Sequence, residues 1–64
     1  MSETDMLLHL AKKLEERVRW HEEQLGAGAA RDYSEYAKMV GSIKGLLAAK
    51  GIIMEISERY EQYD

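Results

Sequence analysis

The side chains in this sequence that could carry out chemistry are two histidines and several groups of glutamates. His9 and His21 are twelve residues apart and point to different sides of a helix. Neither belongs to a Glu-x-x-His pair, the unit that holds iron in helical bundles. The absence of cysteine removes the commonest structural zinc sites. We therefore predict no metal site and no cofactor, and we expect His21 to be a hydrogen-bonded residue of the core.

The glutamates occur as adjacent pairs or at helical spacing, which is typical of solvated helix faces. A carboxyl group that acts as a general acid or base needs a pocket that shifts its pKa, and two helices form no such pocket by themselves. Gly26-Ala27-Gly28 also lacks the preceding strand and the Gly-Lys-Ser/Thr ending of a phosphate-binding loop. We predict that the chain is not an enzyme and has no catalytic residue. The glutamates concerned are Glu15, Glu16, Glu22, Glu23, Glu55, Glu58 and Glu61.

The composition predicts an all-α domain that needs a partner. The chain has 64 residues, no proline and many strong helix formers. A chain of this length buries only about 60% of its unfolded surface, so disulfides, a metal or oligomerisation usually stabilise it. Without cysteine, we expect an antiparallel two-helix hairpin that completes its core by oligomerisation or by docking on a partner.

The first helix is predicted over residues 3–25, with Ser2 or Thr4 as its N-cap. Its apolar side chains are spaced four, three, four, three and four residues apart, as in the a/d seam of a left-handed helix pair. We assign this seam to the intramolecular core: Leu7, Ala11, Leu14, Val18, His21 and Leu25.

A glycine-containing turn over residues 26–31 is predicted to lead into a second helix over residues 32–62. Asp32 is the expected N-cap, and Glu35 is placed to reach back towards it. Because the link is short, the two helices should be antiparallel neighbours. The stripe predicted to pack on the first helix consists of Tyr36, Val40, Ile43, Leu47 and Met54.

Gly51 leaves two alternatives open for the second helix. The helix could be continuous, with or without a bend at Gly51, which is the interpretation we favour. It could instead end at Lys50-Gly51, so that Ile52 to Ile56 would form a strand or a third helix.

A second apolar surface is predicted on the other side of the second helix, together with Trp20 of the first. Its small residues would allow another helix to approach closely. The favoured partner is another chain, and the alternative is the chain's own first helix. Trp20 fits either a binding surface or the edge of its own fold. The predicted interface residues are Gly41, Gly45, Ala48, Ala49, Ile52, Ile56 and Trp20.

The charges give no reason to expect nucleic acid or a membrane as the partner. The net charge is −3, and Lys12, Lys13, Arg17 and Arg19 are interleaved with glutamates instead of forming a one-sided basic stripe. No apolar run approaches the roughly 20 residues that a spanning helix requires. The predicted partner is a protein: a second copy or a larger protein.

Two segments of the second half of the chain are similar to a known group of proteins: Asp32-Tyr33-Ser34-Glu35-Tyr36 and Val40-Gly41-Ser42-Ile43-Lys44-Gly45-Leu46. They resemble short helical-hairpin proteins of tailed bacteriophages, often encoded near head and portal genes. The resemblance covers the second half of the chain, and the first half matches only in being helical. It implies structural and interface roles for Tyr36, Gly41, Ile43 and Gly45. It also implies a virion-assembly or host-interaction setting, in the host cytoplasm or on the virion.

Three functions follow as expectations. The first is a non-enzymatic interaction module that acts as a phage structural or assembly factor, associated with the head, portal or capsid. The second is a small phage-encoded modulator or inhibitor of a host protein, suggested by the acidic residues near position 60. The third, with least support, is a helical bundle that binds nucleic acid.

Overall fold

Two helices packed side by side form the described part of the chain. The computed structural model describes residues 2–63, and side chains as far as residue 60. Helix α1 spans Glu3–Gly26 and helix α2 spans Tyr33–Tyr63. They form an antiparallel hairpin whose Cα atoms extend over 49 × 16 × 11 Å, one layer of helices thick. The all-α hairpin is confirmed, and the predicted limits, 3–25 and 32–62, differ from the observed ones by at most one residue at each end.

Helix α1 begins at a capping box built by Ser2 and Asp5. The hydroxyl of Ser2 accepts a hydrogen bond from the backbone N–H of Asp5 at 3.1 Å. In return, a carboxylate oxygen of Asp5 accepts from the N–H of Ser2 at 3.4 Å. These bonds satisfy backbone donors that the first turn leaves free. Ser2 is therefore the cap, and Thr4, the alternative, lies within the helix.

Helix α1 ends in a turn closed by a left-handed glycine. Gly28 has φ +80°, a conformation that residues with a Cβ rarely adopt. Its N–H donates to the carbonyl of Leu25 at 3.0 Å, and the N–H of Ala29 donates to the carbonyl of Gln24 at 3.0 Å. This pair of bonds is the Schellman motif, which satisfies the last helical carbonyls and turns the chain back along α1.

Asp32 caps the start of α2, as predicted. Its Oδ1 accepts a hydrogen bond from the N–H of Glu35 at 2.9 Å. Glu35 reaches back one residue beyond the cap, where its Oε2 accepts from the N–H of Arg31 at 2.9 Å. The two carboxylates also lie near the positive end of the helix dipole, which stabilises them there.

Helix α2 is continuous through Gly51, so the favoured interpretation of that segment is confirmed. Ile52 to Ile56 are helical, and the described part of the chain contains no strand. The alternative of a break at Lys50-Gly51 is therefore wrong. Packing against α1 on both sides of Gly51 supports the helix across this residue of low helix propensity.

The interhelical seam has few deeply buried side chains. On α1, Ala11 and Val18 are 4% and 6% exposed, and the other predicted seam residues are half-buried, which confirms the α1 stripe. On α2, Ser57 is buried at 2% exposure. The other α2 residues along the seam are half-buried: Met39, Val40, Ile43, Leu46, Ala49, Lys50 and Ile53.

The prediction for the α2 stripe was right at Val40 and Ile43 and wrong at Tyr36, Leu47 and Met54, which are exposed. The observed α2 seam repeats the spacing of α1, four, three, four, three and four residues apart. Two of its positions are polar, so the pattern of apolar residues does not show it. Because α2 is apolar on several sides, hydrophobicity alone did not fix which side faces α1. The observed series is Met39, Ile43, Leu46, Lys50, Ile53 and Ser57.

Candidate interaction surface

An open apolar groove lies between the helices at the end of the hairpin that is opposite the turn. Its volume is about 220 Å³. The start of α1 and the last described turns of α2 form its walls. Nearly all of the lining is hydrocarbon, with one carboxylate at the outer end. The lining residues are Glu3, Met6, Leu7, Leu10, Ile56 and Tyr60.

Ile52 extends this apolar surface along α2, because it lies one helical turn before Ile56. It is 58% exposed, the largest exposed fraction among the isoleucines and leucines in the described part of the chain. We call Met6, Leu10, Ile52, Ile56 and Tyr60 the groove face. All five side chains are more than one-third exposed. In the single hairpin they therefore leave a sizeable apolar area in water.

The small residues of α2 continue the surface beyond Ile52. Gly41, Gly45 and Ala48 are exposed. A Cβ added at Gly41 or Gly45 would meet nothing within 4 Å, so neither glycine makes room for α1. The alternative prediction, that these glycines allow close packing of the chain's own first helix, is therefore wrong. Ala49, predicted with them, is instead half-buried at the edge of the seam.

Trp20 lies on the same flank of α1 as Met6 and Leu10, since steps of three and four residues connect the three positions. Its side chain is 49% exposed. The indole packs edge-on against the ring of His21, with ring centroids 5.0 Å apart and an angle of 78° between the planes. His21 itself is half-buried on the seam. The indole therefore contacts His21 on one side and remains accessible to solvent on the other.

The opposite side of α2 is also apolar, but an ion pair lies along its border with α1. Tyr36, Leu47 and Met54 are exposed there, and we call these three residues the back face. Lys50 lies between Leu47 and Met54 in helical spacing, and its Nζ is 3.6 Å from a carboxylate oxygen of Glu15 on α1. The pair joins the two helices and keeps both charges in contact with water.

The candidate chemical residues lie apart from one another. Six of the seven glutamates considered above are exposed, and Glu61 lies outside the described side chains. Within the described residues, no three His, Cys, Asp or Glu side chains lie close enough together to hold a metal ion. In the same part of the chain, neither helix is long and apolar enough to cross a bilayer.

No protein-family model matches the sequence, and neither the curated proteins nor the solved structures include a significant match. The candidate surface therefore has to be interpreted from its own geometry.

The sequence reasoning missed Met6, Leu10 and Tyr60 as members of the surface. Met6 and Leu10 are four residues apart, as are Ile56 and Tyr60, so each pair shares a helix face. That signal was available. What the sequence did not show is that the two pairs meet, because their meeting depends on the rotation of α2 about its own axis.

Proposed function

We propose that the chain is a non-enzymatic protein-interaction module whose core is completed by another protein chain. The observation that supports this proposal is the imbalance between buried and exposed apolar side chains. Among the described residues, two apolar side chains are buried while eleven large ones are exposed. A stable soluble domain needs a larger buried core, and large exposed apolar patches usually mark sites of protein–protein contact.

The setting that we propose is the assembly of a bacteriophage particle. The resemblance of the α2 segments around Asp32 and Gly45 to phage helical-hairpin proteins supports it. A small hairpin with apolar sides suits a structural or assembly factor, because it can fill a space between larger subunits. Under this proposal the chain acts on the head, portal or capsid of the particle.

Gly45→Leu tests whether the small-residue part of α2 contacts the partner. A protein that co-purifies with the tagged chain would first be identified, and its affinity for purified variants would then be measured by calorimetry. Because nothing lies within 4 Å of an added Cβ at Gly45, leucine fits the free hairpin and improves helix propensity. At a close helix contact the same side chain would clash, and we expect the affinity to fall about tenfold or more.

Gly51→Leu is the matched control. Gly51 is also exposed and helical with open space around it, but it points about a third of a turn away from Gly45. We expect its partner affinity to stay within about twofold of the original. Equal affinity for the original chain and for Gly45→Leu would contradict the proposed use of this surface.

Mass spectrometry of purified particles tests the setting. If the chain is an assembly factor, its copies should be present in virions or in assembly intermediates of the phage that encodes it. Expression early in infection, with no copies in either, would contradict an assembly role and favour a modulator of a host protein.

A further inference from the structure

We infer that the groove face binds a second copy of this chain, so that two hairpins form a four-helix assembly. The inference rests on the proposed function, because it names the protein that first covers the exposed apolar surface. It also assigns the contact to Met6, Leu10, Ile52, Ile56 and Tyr60.

The exposed area of the hairpin matches what a dimer needs. The chain exposes 5076 Å², whereas a compact monomer of 7.4 kDa exposes about 4,200 Å². The excess is about 900 Å². A stable protein–protein interface of standard size buries about 800 Å² on each partner. One contact between two copies would therefore bring the exposed area of each chain to the value of a compact protein.

The shape of the hairpin leads to the same conclusion. Its radius of gyration is 14.8 Å, against about 10.7 Å for a compact domain of this length. Domains are built from at least two layers of secondary structure around one core, and this hairpin is a single layer. A second hairpin laid on it would supply the missing layer.

The groove face is better suited than the back face to be buried. Its five residues are uncharged, and Glu3 stands only at the outer end of the groove. On the back face, the Glu15–Lys50 pair lies beside Leu47 and Met54. Burying that pair would remove two charges from water, and their mutual attraction often does not offset this cost. A partner that covered the back face would bury this ion pair, whereas among the described residues no ion pair between the helices lies on the groove face.

A second copy also suits the geometry of the groove face. Most soluble homo-oligomers are two-fold symmetric, so the same patch meets itself and must be self-complementary. The groove offers a recess about 220 Å³ in volume next to projecting side chains such as Ile52. Because the five residues of the groove face carry no charge, they meet their copies without repulsion, and the projections of one copy can enter the recess of the other.

The test compares two substitutions that place the same charge on the two faces. Ile52→Glu alters the groove face and Leu47→Glu alters the back face. Their native side chains are similarly exposed, at 58% and 48%, so neither change removes much packing from the single hairpin. Molar mass would be measured by light scattering and by sedimentation equilibrium across the micromolar range, with helix content followed by circular dichroism.

We expect the original chain to have twice the monomer mass at high micromolar concentration. Ile52→Glu should raise the dissociation constant of the dimer about 100-fold or more, because it buries an unpaired charge. Leu47→Glu should change it less than about threefold. A monomeric original chain throughout this range would overturn the inference, as would loss of the dimer in Leu47→Glu with Ile52→Glu unaffected.

A second variant covers the case in which Ile52→Glu does not fold. Ile52→Ala keeps high helix propensity and removes only apolar surface, so we expect the dissociation constant to rise about tenfold. An unchanged dissociation constant would count against the groove face. Dilution should also shift the Trp20 emission to longer wavelength in the original chain, since Trp20 lies on the same flank of α1 and is partly covered in the dimer.

The experiment separates the two proposals. If the chain is monomeric and Gly45→Leu weakens its binding to another protein, the proposed dimer is contradicted and the proposed interaction module is supported. A monomeric chain whose binding to its co-purified protein tolerates leucine at position 45 would contradict both.

Discussion

Ser2 and Asp32 are short polar side chains that begin the two helices, and each is bonded to the backbone N–H three residues later. Such caps depend on local geometry alone, which is why sequence reasoning located Asp32 and its partner Glu35 directly. The first cap was harder to assign, because Ser2 and Thr4 both carry a hydroxyl. The hydrogen bonds between Ser2 and Asp5 identify Ser2 as the cap, and they are visible only in the folded structure.

Asp32→Ala should lower the free energy of unfolding by about 1 kcal/mol, because the N–H of Glu35 loses its acceptor at the start of α2. Urea denaturation followed by circular dichroism, at one fixed protein concentration, would measure the change.

Asp32→Asn is the control for that prediction. Its side-chain oxygen can still accept the bond, so most of the stability should be retained. Equal loss in the two variants would show that the charge of Asp32, and not the bond to Glu35, stabilises the helix start.

At the scale of the helix, α2 shows where sequence reasoning stops. The α1 seam was correctly predicted because its steps of four and three residues continue unbroken from Leu7 to Leu25, although Met6 and Leu10 are apolar and lie off the seam. On α2, Lys50 and Ser57 occupy two seam positions, while Leu47 and Met54 lie outside the seam. The sequence therefore predicted that α2 is a helix, but it did not predict the rotation of α2 about its own axis relative to α1. The groove face went partly unrecognised for the same reason, since it exists only where the flanks of two correctly rotated helices meet.

Gly51→Ala should raise the free energy of unfolding by about 0.5–1 kcal/mol. Gly51 lies inside α2, and a Cβ added there meets nothing within 4 Å, so alanine brings its higher helix propensity without strain. Thermal and urea unfolding of the two proteins at equal concentration would measure the difference.

Gly28→Ala supplies the contrasting case for the same substitution. Gly28 has φ +80°, so alanine there should lower the free energy of unfolding by about 1–2 kcal/mol although the surrounding space is open. A gain at Gly28 or a loss at Gly51 would contradict the backbone assignments of these two residues.

At the scale of the whole molecule, the thinness of the hairpin determines how much apolar surface stays exposed. A single layer of two helices exposes both of its sides, and its seam buries chiefly small side chains, such as Ala11, Val18 and Ser57. Composition and length limit how much area 64 residues can bury, and the proposal of a partner rests on that limit. They did not indicate which side a second copy would cover in the proposed dimer. In that proposal the choice of side depends on the position of the Glu15–Lys50 pair, which joins residues far apart in the sequence.

The thermal midpoint of the original chain should consequently depend on its concentration. If folding and association are linked, each tenfold increase in concentration adds about 1.4 kcal/mol to the free energy that separates the dimer from unfolded chains. For an assembly of this size the midpoint should rise by roughly 4–6 °C.

Ile52→Glu should unfold at a lower temperature that does not change with concentration, because its hairpin lacks the second layer. Differential scanning calorimetry over a hundredfold range would show both behaviours. A midpoint that is the same at every concentration in the original chain would mean that the single hairpin is stable with its groove face in water.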